Sequence, residues 1–401
     1  TLDGKGYNFT QYQKMARQQF NELFVMPTGD GSYRKYDYFG DDYDKLPDTD
    51  WYDLISRVAP FVKTNVSLSG GTKALKYYSS MEYLNQQGVI INSKLERYAI
   101  RMKLNSDVKS NFVNWGVNSY VANTVQTGPQ AGGTSYNTPM FAALRLPSVI
   151  PAYLEDGSDN YSFPLNLLDT SHNPVASAKL NDNEKPQLNI TVSGNLKLNF
   201  TDWLSLSTNA SVYYLGLQRR TYYDSDFGYG SQTEGLLTER DVHRTKLTNT
   251  TMLLIDKTFN AKHKISASAG VEFEDLKYKY RQASVGNFLS DSKSYLSNGA
   301  VKGELSGGGY SYSQLSFISR ADYSYRNRYI VAGSFRQDRS SRFAPENRVG
   351  NFWSASGAWR ISNENFWKPY RKIVNSLRVK ASYGINGNLP SIYYYMLTYS
   401  P

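Results

Sequence analysis

The chain has no cysteine, so it forms no disulfide and offers no thiolate to a metal. Its 401 residues include only three histidines, His172, His243 and His263, and none has partners at the spacing a metal site or catalytic triad needs. No apolar run approaches the roughly 20 residues of a membrane-spanning helix. The most apolar stretch, 141–154, is broken by Arg145, Pro147 and Pro151. A helical membrane protein is therefore excluded, and the usual marks of an enzyme are missing. GxG patterns such as Gly228–Gly230 do not sit between a strand and a helix, so no cofactor is expected. No secretory leader is visible at Thr1. The formal net charge of +10 would suit an anionic partner, but basic runs stop at two or three residues, which gives no support to a nucleic-acid groove.

What the chain does have is alternation. Over 187–200, QLNITVSGNLKLNF, every even position except Gly194 is apolar and every odd one is polar. Successive strand residues point to opposite faces, so this segment carries one oily and one wet face. The pattern recurs at 203–216 (Leu204, Leu206, Ala210, Val212, Tyr214) and at 264–274 (Ile265, Ala267, Ala269, Val271, Phe273). It places strands near 61–71, 75–86, 94–106, 110–122, 187–200, 203–216, 241–258, 262–277, 310–325, 328–339, 351–362 and 376–386. About a dozen residues tilted by about 40° cover roughly 30 Å, a membrane's apolar band with its margins.

The links alternate in length. Short ones lie at 70–73, 106–109, 201–202, 260–262 and 326–327; long ones at 87–93, 123–186, 217–240, 278–309 and 340–350; the 363–375 link reads as a small helix. Short turns on one side and long loops on the other are the pattern of an up-and-down barrel in an outer membrane. The chain is rich in tyrosine, with 34 residues. Tyr83, Tyr98, Trp203, Tyr325, Tyr329, Trp353 and Trp359 near strand ends fit interfacial girdles. On this parity Arg97, Arg101 and Lys103, and Arg378 and Lys380, face inward, which requires a wide, wet lumen.

Three stretches carry a family resemblance: 328–362 (RYIVAGSFRQDRSSRFAPENRVGNFWSASGAWRIS), 363–366, and SLRVKASYGINGN at 376–388. The residues that carry it are Arg336, Asp338, Ser340, Ser341, Arg342, Phe343, Asn347, Arg348, Gly350, Trp359, Arg360, Glu364, Phe366, Ser382, Tyr383, Gly384, Gly387 and Asn388. With TDWYD at 49–53 and the segments 65–89 and 96–105, the chain resembles the SusC/RagA group of TonB-dependent outer-membrane transporters of Bacteroidetes. Arg339 and Ala344 stand where that group commonly has glycine. The resemblance implies an all-β fold, an antiparallel up-and-down transmembrane β-barrel with long extracellular loops. About 12 of an expected 22 or so strands are present. On this reading 1–60 is an extracellular loop region and 61–401 a partial barrel. The signal peptide, plug domain and C-terminal barrel strands lie outside the chain. Within the first region 11–24 reads as a short amphipathic helix (Tyr12, Met15, Phe20, Leu23).

The resemblance also implies a function and partners. The protein would import a nutrient, an oligosaccharide or a peptide, in the bacterial outer membrane, with lipid around it. A SusD-like surface lipoprotein would close the mouth, and TonB would act through the plug. The alternatives are a self-contained passive porin or a surface-binding β-protein. The loop 217–240 interleaves Tyr222, Tyr223, Phe227 and Tyr229 with Arg219, Arg220 and Asp224, residues that either grip a ligand by stacking and hydrogen bonds or pack on neighbours. The loop 123–186 is too long for a mere connector. Asp41, Asp42 and Asp44, with Asp37, offer hard oxygen ligands for calcium without the spacing of an EF-hand.

Overall fold

The computed structural model describes residues 25–27, 33–35, 48–106, 112–129, 138–146, 150–154, 157–160, 172–226, 228–291, 294–389 and 393. The helix expected at 11–24 and the acidic group at 37–44 lie outside these residues. A short hairpin, β1 (Val25–Pro27) and β2 (Tyr33–Lys35), comes first. Then follow β3 (Phe61–Gly71), β4 (Lys76–Gln87), β5 (Lys94–Ser106), β6 (Val113–Thr127), β7 (Asp182–Asn199) and β8 (Leu204–Tyr223). The series continues with β9 (Leu236–Phe259), β10 (His263–Gly286), β11 (Val301–Tyr325), β12 (Tyr329–Ser340), β13 (Val349–Trp359) and β14 (Val379–Gly384). These twelve strands form one antiparallel sheet, each bonded to the next in sequence order, with β3 and β14 at its edges. All twelve strands expected from the alternation are present.

Register sorts the side chains onto two faces. Val66, Met81, Ile100 and Val121 lie side by side on β3 to β6, and Val113, Leu198, Leu206, Leu253 and Ala269 on β6 to β10. On the opposite face one row reads Asn195, Asn209, Thr250, Glu272, Ser316 and Asp338 from β7 to β12. Val66 and Met81 are 68% and 60% exposed, as are many other large apolar side chains of that face. An apolar surface of this extent would aggregate in water and is at home in lipid. The opposite face is therefore the lumen side. Arg97, Arg101, Lys103 and Lys380 are all on it, as expected, whereas Arg378 stands just before β14.

The short links close the membrane-facing end tightly. Asn260 and Ala261 have φ of 49° and 52°, and Arg326 and Asn327 of 51° and 55°, left-handed pairs within three-residue links where Lys262 N donates to Phe259 O at 3.0 Å and Arg328 N to Tyr325 O at 2.9 Å. Aromatic residues gather at this end, where Tyr329 and Trp359 stack at 6.4 Å and Lys257 lies 4.3 Å from the Trp203 ring. Trp353 is different: it sits within β13 opposite Phe335, inside the apolar band rather than at its rim. The 363–375 link contains a 3-10 helix, Asn365–Lys372.

At the other end the strands run further than expected. β8 continues to Tyr223 and β9 begins at Leu236, while β10 reaches Gly286 and β11 begins at Val301. Beyond the lipid no apolar face is demanded, so the alternation fades while the hydrogen-bonded ladder continues. Arg339 is on β12, inside the strand expected at 328–339. Three of the outer connections build a small core of their own. It is made from α1 (Trp51–Ile55), α2 (Pro139–Arg145) and α3 (Pro174–Lys179). Trp51, Ile55, Ile90, Leu146, Ile150 and Val175 are buried together there. Asp50 caps α1 by accepting from Asp53 N at 2.9 Å, and Asn173 caps α3 by accepting from Val175 N at 2.8 Å. Arg57 fastens this unit to the β4–β5 link, donating to Ser93 O at 2.9 Å and Gly88 O at 3.2 Å.

Candidate functional site

The candidate site is the lumen face together with the outer ends of its strands. Its middle is hydrophilic: a recess of about 590 Å³ is lined by Lys103, Asn105, Asn118, Asn195, Asn209 and Thr250, among others. Beside it runs an ion network. Arg336 on β12 donates to Glu272 at 3.0 Å, to Asp338 at 2.6 Å and to Ser316 Oγ at 2.9 Å. Lys246 pairs with Glu274 at 2.8 Å, and Tyr312 donates to the same carboxylate. The Arg342 guanidinium lies 3.7 Å from the centre of the Tyr312 ring. Paired charges of this kind tolerate a wet, half-buried wall, where lone ones would be drawn to solvent.

The motif residues build this wall and its ends. Ser340 is buried, and its N donates to Arg348 O at 3.0 Å. Ser341 accepts from Ser313 N at 3.1 Å and shares a hydrogen bond of 3.0 Å with Tyr393. Arg348 donates to Phe343 O at 3.3 Å, and Asn347 N to Ala344 O at 2.9 Å, which fold the β12–β13 connection. At the turn end Trp359 donates to Glu364 at 3.2 Å, Arg328 pairs with the same carboxylate at 2.8 Å, and Arg360 donates to Asn327 at 2.6 Å. The hydrogen bonds from Trp359 and then Tyr329, with the charge of Arg328 adding to them, hold the Glu364 carboxyl below its ordinary value. Tyr383 is exposed on the lipid side against Trp353, at 5.7 Å. Gly384 faces Ser354, where an added Cβ would meet its neighbour at 2.8 Å, and one at Gly387 would meet the Phe352 ring at 2.1 Å. Asn388 is exposed.

The residues singled out at 217–240 do not form one ligand-gripping loop. Arg219, Arg220, Tyr222 and Tyr223 are on β8 itself. Arg220 is tied to Asp182 at 2.7 Å and to Ser294 Oγ at 2.6 Å, so it anchors the β10–β11 connection. Tyr222 is 4% exposed, packs edge-on against Phe288 at 5.6 Å in a cluster with Leu237 and Val285, and donates to Asp291. Burial and that hydrogen bond push its phenol well above the ordinary range. Tyr223 meets Tyr229 edge-on at 5.3 Å. Phe227 lies outside the described residues. These strands pass beyond the lipid and bury some of their rings on each other.

Asp224, Asp226 and Asp291 bring carboxylate oxygens within 4.8 Å of one another, a group assembled from two separate connections. Asp291 is already engaged, accepting from Ser225 N at 3.1 Å and Ser225 Oγ at 2.9 Å besides Tyr222. Burial raises its carboxyl, but the hydrogen bonds from Tyr222 and Ser225 outweigh that and leave it lowered. Burial raises Asp224, with the charges of Asp291 and Asp226 adding to it against the Asp226 backbone bond.

At the outer lumen Arg219 has cationic neighbours that the sequence reading passed over, Lys185, Arg240 and Arg244. Arg219 lies directly opposite Arg240. Lys185 on β7 is next to Arg219, and burial, with that neighbour's charge, draws its ammonium below the ordinary value. The Arg240 guanidinium lies 4.6 Å from the Tyr280 ring and that of Arg244 5.7 Å from Tyr278, which stacks on Tyr310 at 5.0 Å. Continuing the strand parity past the apolar band would have put Lys185, Arg219, Arg240 and Arg244 on the lumen face.

No protein-family model matches the chain. It is 28% identical over 367 residues to TonB-dependent receptor P26 of Formosa agariphila, covering 87% of this chain and 35% of that protein. It is 26% identical over 399 residues to TonB-dependent receptor SusC of Bacteroides thetaiotaomicron, covering 88% of this chain and 38% of that one. The chain thus spans about a third of the length of these curated relatives. Among solved structures, the RagAB peptide transporter superposes with a TM-score of 0.72 at 23% identity, over 95% of this chain and 42% of that one. That likeness is one of fold. The relatives carry the names of receptors and a transporter, not of enzymes.

Proposed function

As a homologue of SusC-type TonB-dependent receptors with an outer-membrane barrel fold, this chain is, we propose, part of the wall and outer loops of a nutrient importer. The observation that carries the reading is the two-faced sheet, apolar toward lipid and lined with Asn, Ser, Thr and ion-paired residues toward the lumen, on a chain related to these receptors along most of its length. The sheet is open: β3 and β14 pair with no further strand among the described residues. A self-contained twelve-strand porin would join those edges, so an open sheet favours a larger barrel in which other strands complete the wall. Cargo would be an oligosaccharide or a peptide. A SusD-like lipoprotein would cover the outer mouth, seated on the small core of α1, α2 and α3 and on the long strand ends. TonB, acting on a plug, would supply the energy that opens the lumen. The likeness to TonB-dependent receptor SusC supports the dependence on TonB, and the likeness to the RagAB peptide transporter supports the barrel fold.

The test is uptake by cells that carry the full-length gene. Fluorescent oligosaccharide and peptide mixtures enter wild-type cells, and uptake falls to background when either this gene or TonB is removed. Uptake that persists without TonB would mean passive entry and reject the reading.

A further inference from the structure

Lys185, Arg219 and Arg240 stand on three consecutive strands, β7, β8 and β9, at one height of the lumen's outer end. Like charges on directly opposed strand positions repel and destabilise a sheet. Among the described residues none of the three has an ion-pair partner, and Asp241 and Glu239 alternate onto the other face of β9. Arg244 lies two steps of the alternation further in on the same face, past Val242, and its Nε is buried without a hydrogen-bond partner among the described residues. Glu274, which faces the same lumen, is taken up by Lys246 and Tyr312. Among the described residues no carboxylate neutralises this row, so an anionic group brought by a ligand would find its cations free.

Resting on the import reading above, we propose that this row is a selectivity site for an anionic oligosaccharide, one bearing sulfate or carboxylate groups. Guanidinium groups bind such oxyanions with paired, charge-assisted hydrogen bonds. Neighbouring strands lie about 4.8 Å apart, close to the length of one pyranose unit; an extended peptide rises only about 3.4 Å per residue, and matches that interval at neither one nor two residues. Tyr278 and Tyr280, beside Arg244 and Arg240, add ring faces of the kind on which sugar rings stack. The row therefore presents one cation per sugar unit along a chain crossing the strands.

The full-length transporter, purified in detergent, is titrated with a sulfated dextran oligosaccharide and with unsulfated dextran of equal length. The sulfated form binds at least tenfold more tightly, its affinity falls as salt is raised, and Arg219→Gln with Arg240→Gln weakens it at least tenfold without changing heat-modifiable migration. Equal affinity for the two dextrans, or sulfated binding unmoved in the double variant, overturns the proposal. Displacement of the sulfated dextran by hexaglutamate at a lower concentration than by a second sulfated sugar overturns the choice of oligosaccharide over acidic peptide. Import itself is scored separately: charge-selective binding with TonB-independent entry would reject the import reading and leave the selectivity site standing.

Discussion

At the scale of single residues, the outer connections show carboxylates of opposite character a few ångströms apart. Asp224 is raised, first by burial, so its folded form holds a proton more tightly than the unfolded chain does. Its contribution to stability is present below the ordinary carboxylate value, about 3.9, and is lost as pH rises through the raised one. Asp291 is lowered by the bonds from Tyr222 and Ser225, so its contribution is present above the ordinary value and is lost as pH falls through the lowered one. Asp224→Asn is expected to stabilise the protein at pH 7, by less than about 1 kcal/mol in this partly wet setting, with the gain vanishing in acid. Asp291→Asn is expected to lose about 1 kcal/mol at pH 7, and that difference also closes on acidification. Thermal unfolding of both variants from pH 3 to 7 in detergent checks the opposite signs at neutral pH; the same sign for both would contradict the account.

At the scale of elements, the sheet and the outer core answer to different forces. Strands are held by a ladder that lipid reinforces. The core of α1, α2 and α3 depends on a few side chains brought from distant parts of the chain, as when Thr49 donates to Ile150 O at 2.7 Å. Ile55 is fully buried at its centre. Ile55→Ala removes about 2–4 kcal/mol from this unit by leaving a cavity. The expected result is faster hydrogen exchange and proteolysis in 48–56 and 139–146 with no change in exchange within β7 to β12. Equal loosening of the strands would show that the two units are not independent.

The same division explains what could be read from the sequence. All twelve strands, their order and their two faces were legible, because lipid on one side and water on the other force an alternation that every strand must repeat. The short turns were legible for a similar reason: Asn260 and Asn327 suit left-handed backbone. The outer ends were not. Past the apolar band Lys277, Lys279 and Arg281 alternate with Tyr278 and Tyr280, so neither face is oily and the strand gives no hydropathy signal. That is why Arg220 and Tyr222 read as loop residues, for a ligand or for packing on neighbours, while the structure places them on β8, holding Ser294 and Asp291. The acidic group was hidden in its third member, since Asp224 and Asp226 lie two residues apart but no spacing links them to Asp291.

At the scale of the whole molecule, the account rests on which face of the sheet meets lipid and which meets water. This chain has no cysteine of its own to compete for a label, so the difference is measurable against the unsubstituted protein. Leu196 and Val212 face lipid, and Asn195 and Asn209 face the lumen. Each is replaced singly by cysteine in the full-length protein, and intact outer membranes are exposed to a small water-soluble maleimide and to a lipid-soluble one. Asn195→Cys and Asn209→Cys should react with the water-soluble reagent, and Leu196→Cys and Val212→Cys only with the lipid-soluble one. Equal reaction at neighbouring positions, or the reverse pattern, would contradict a lumen wall and with it the proposed passage of cargo along this face.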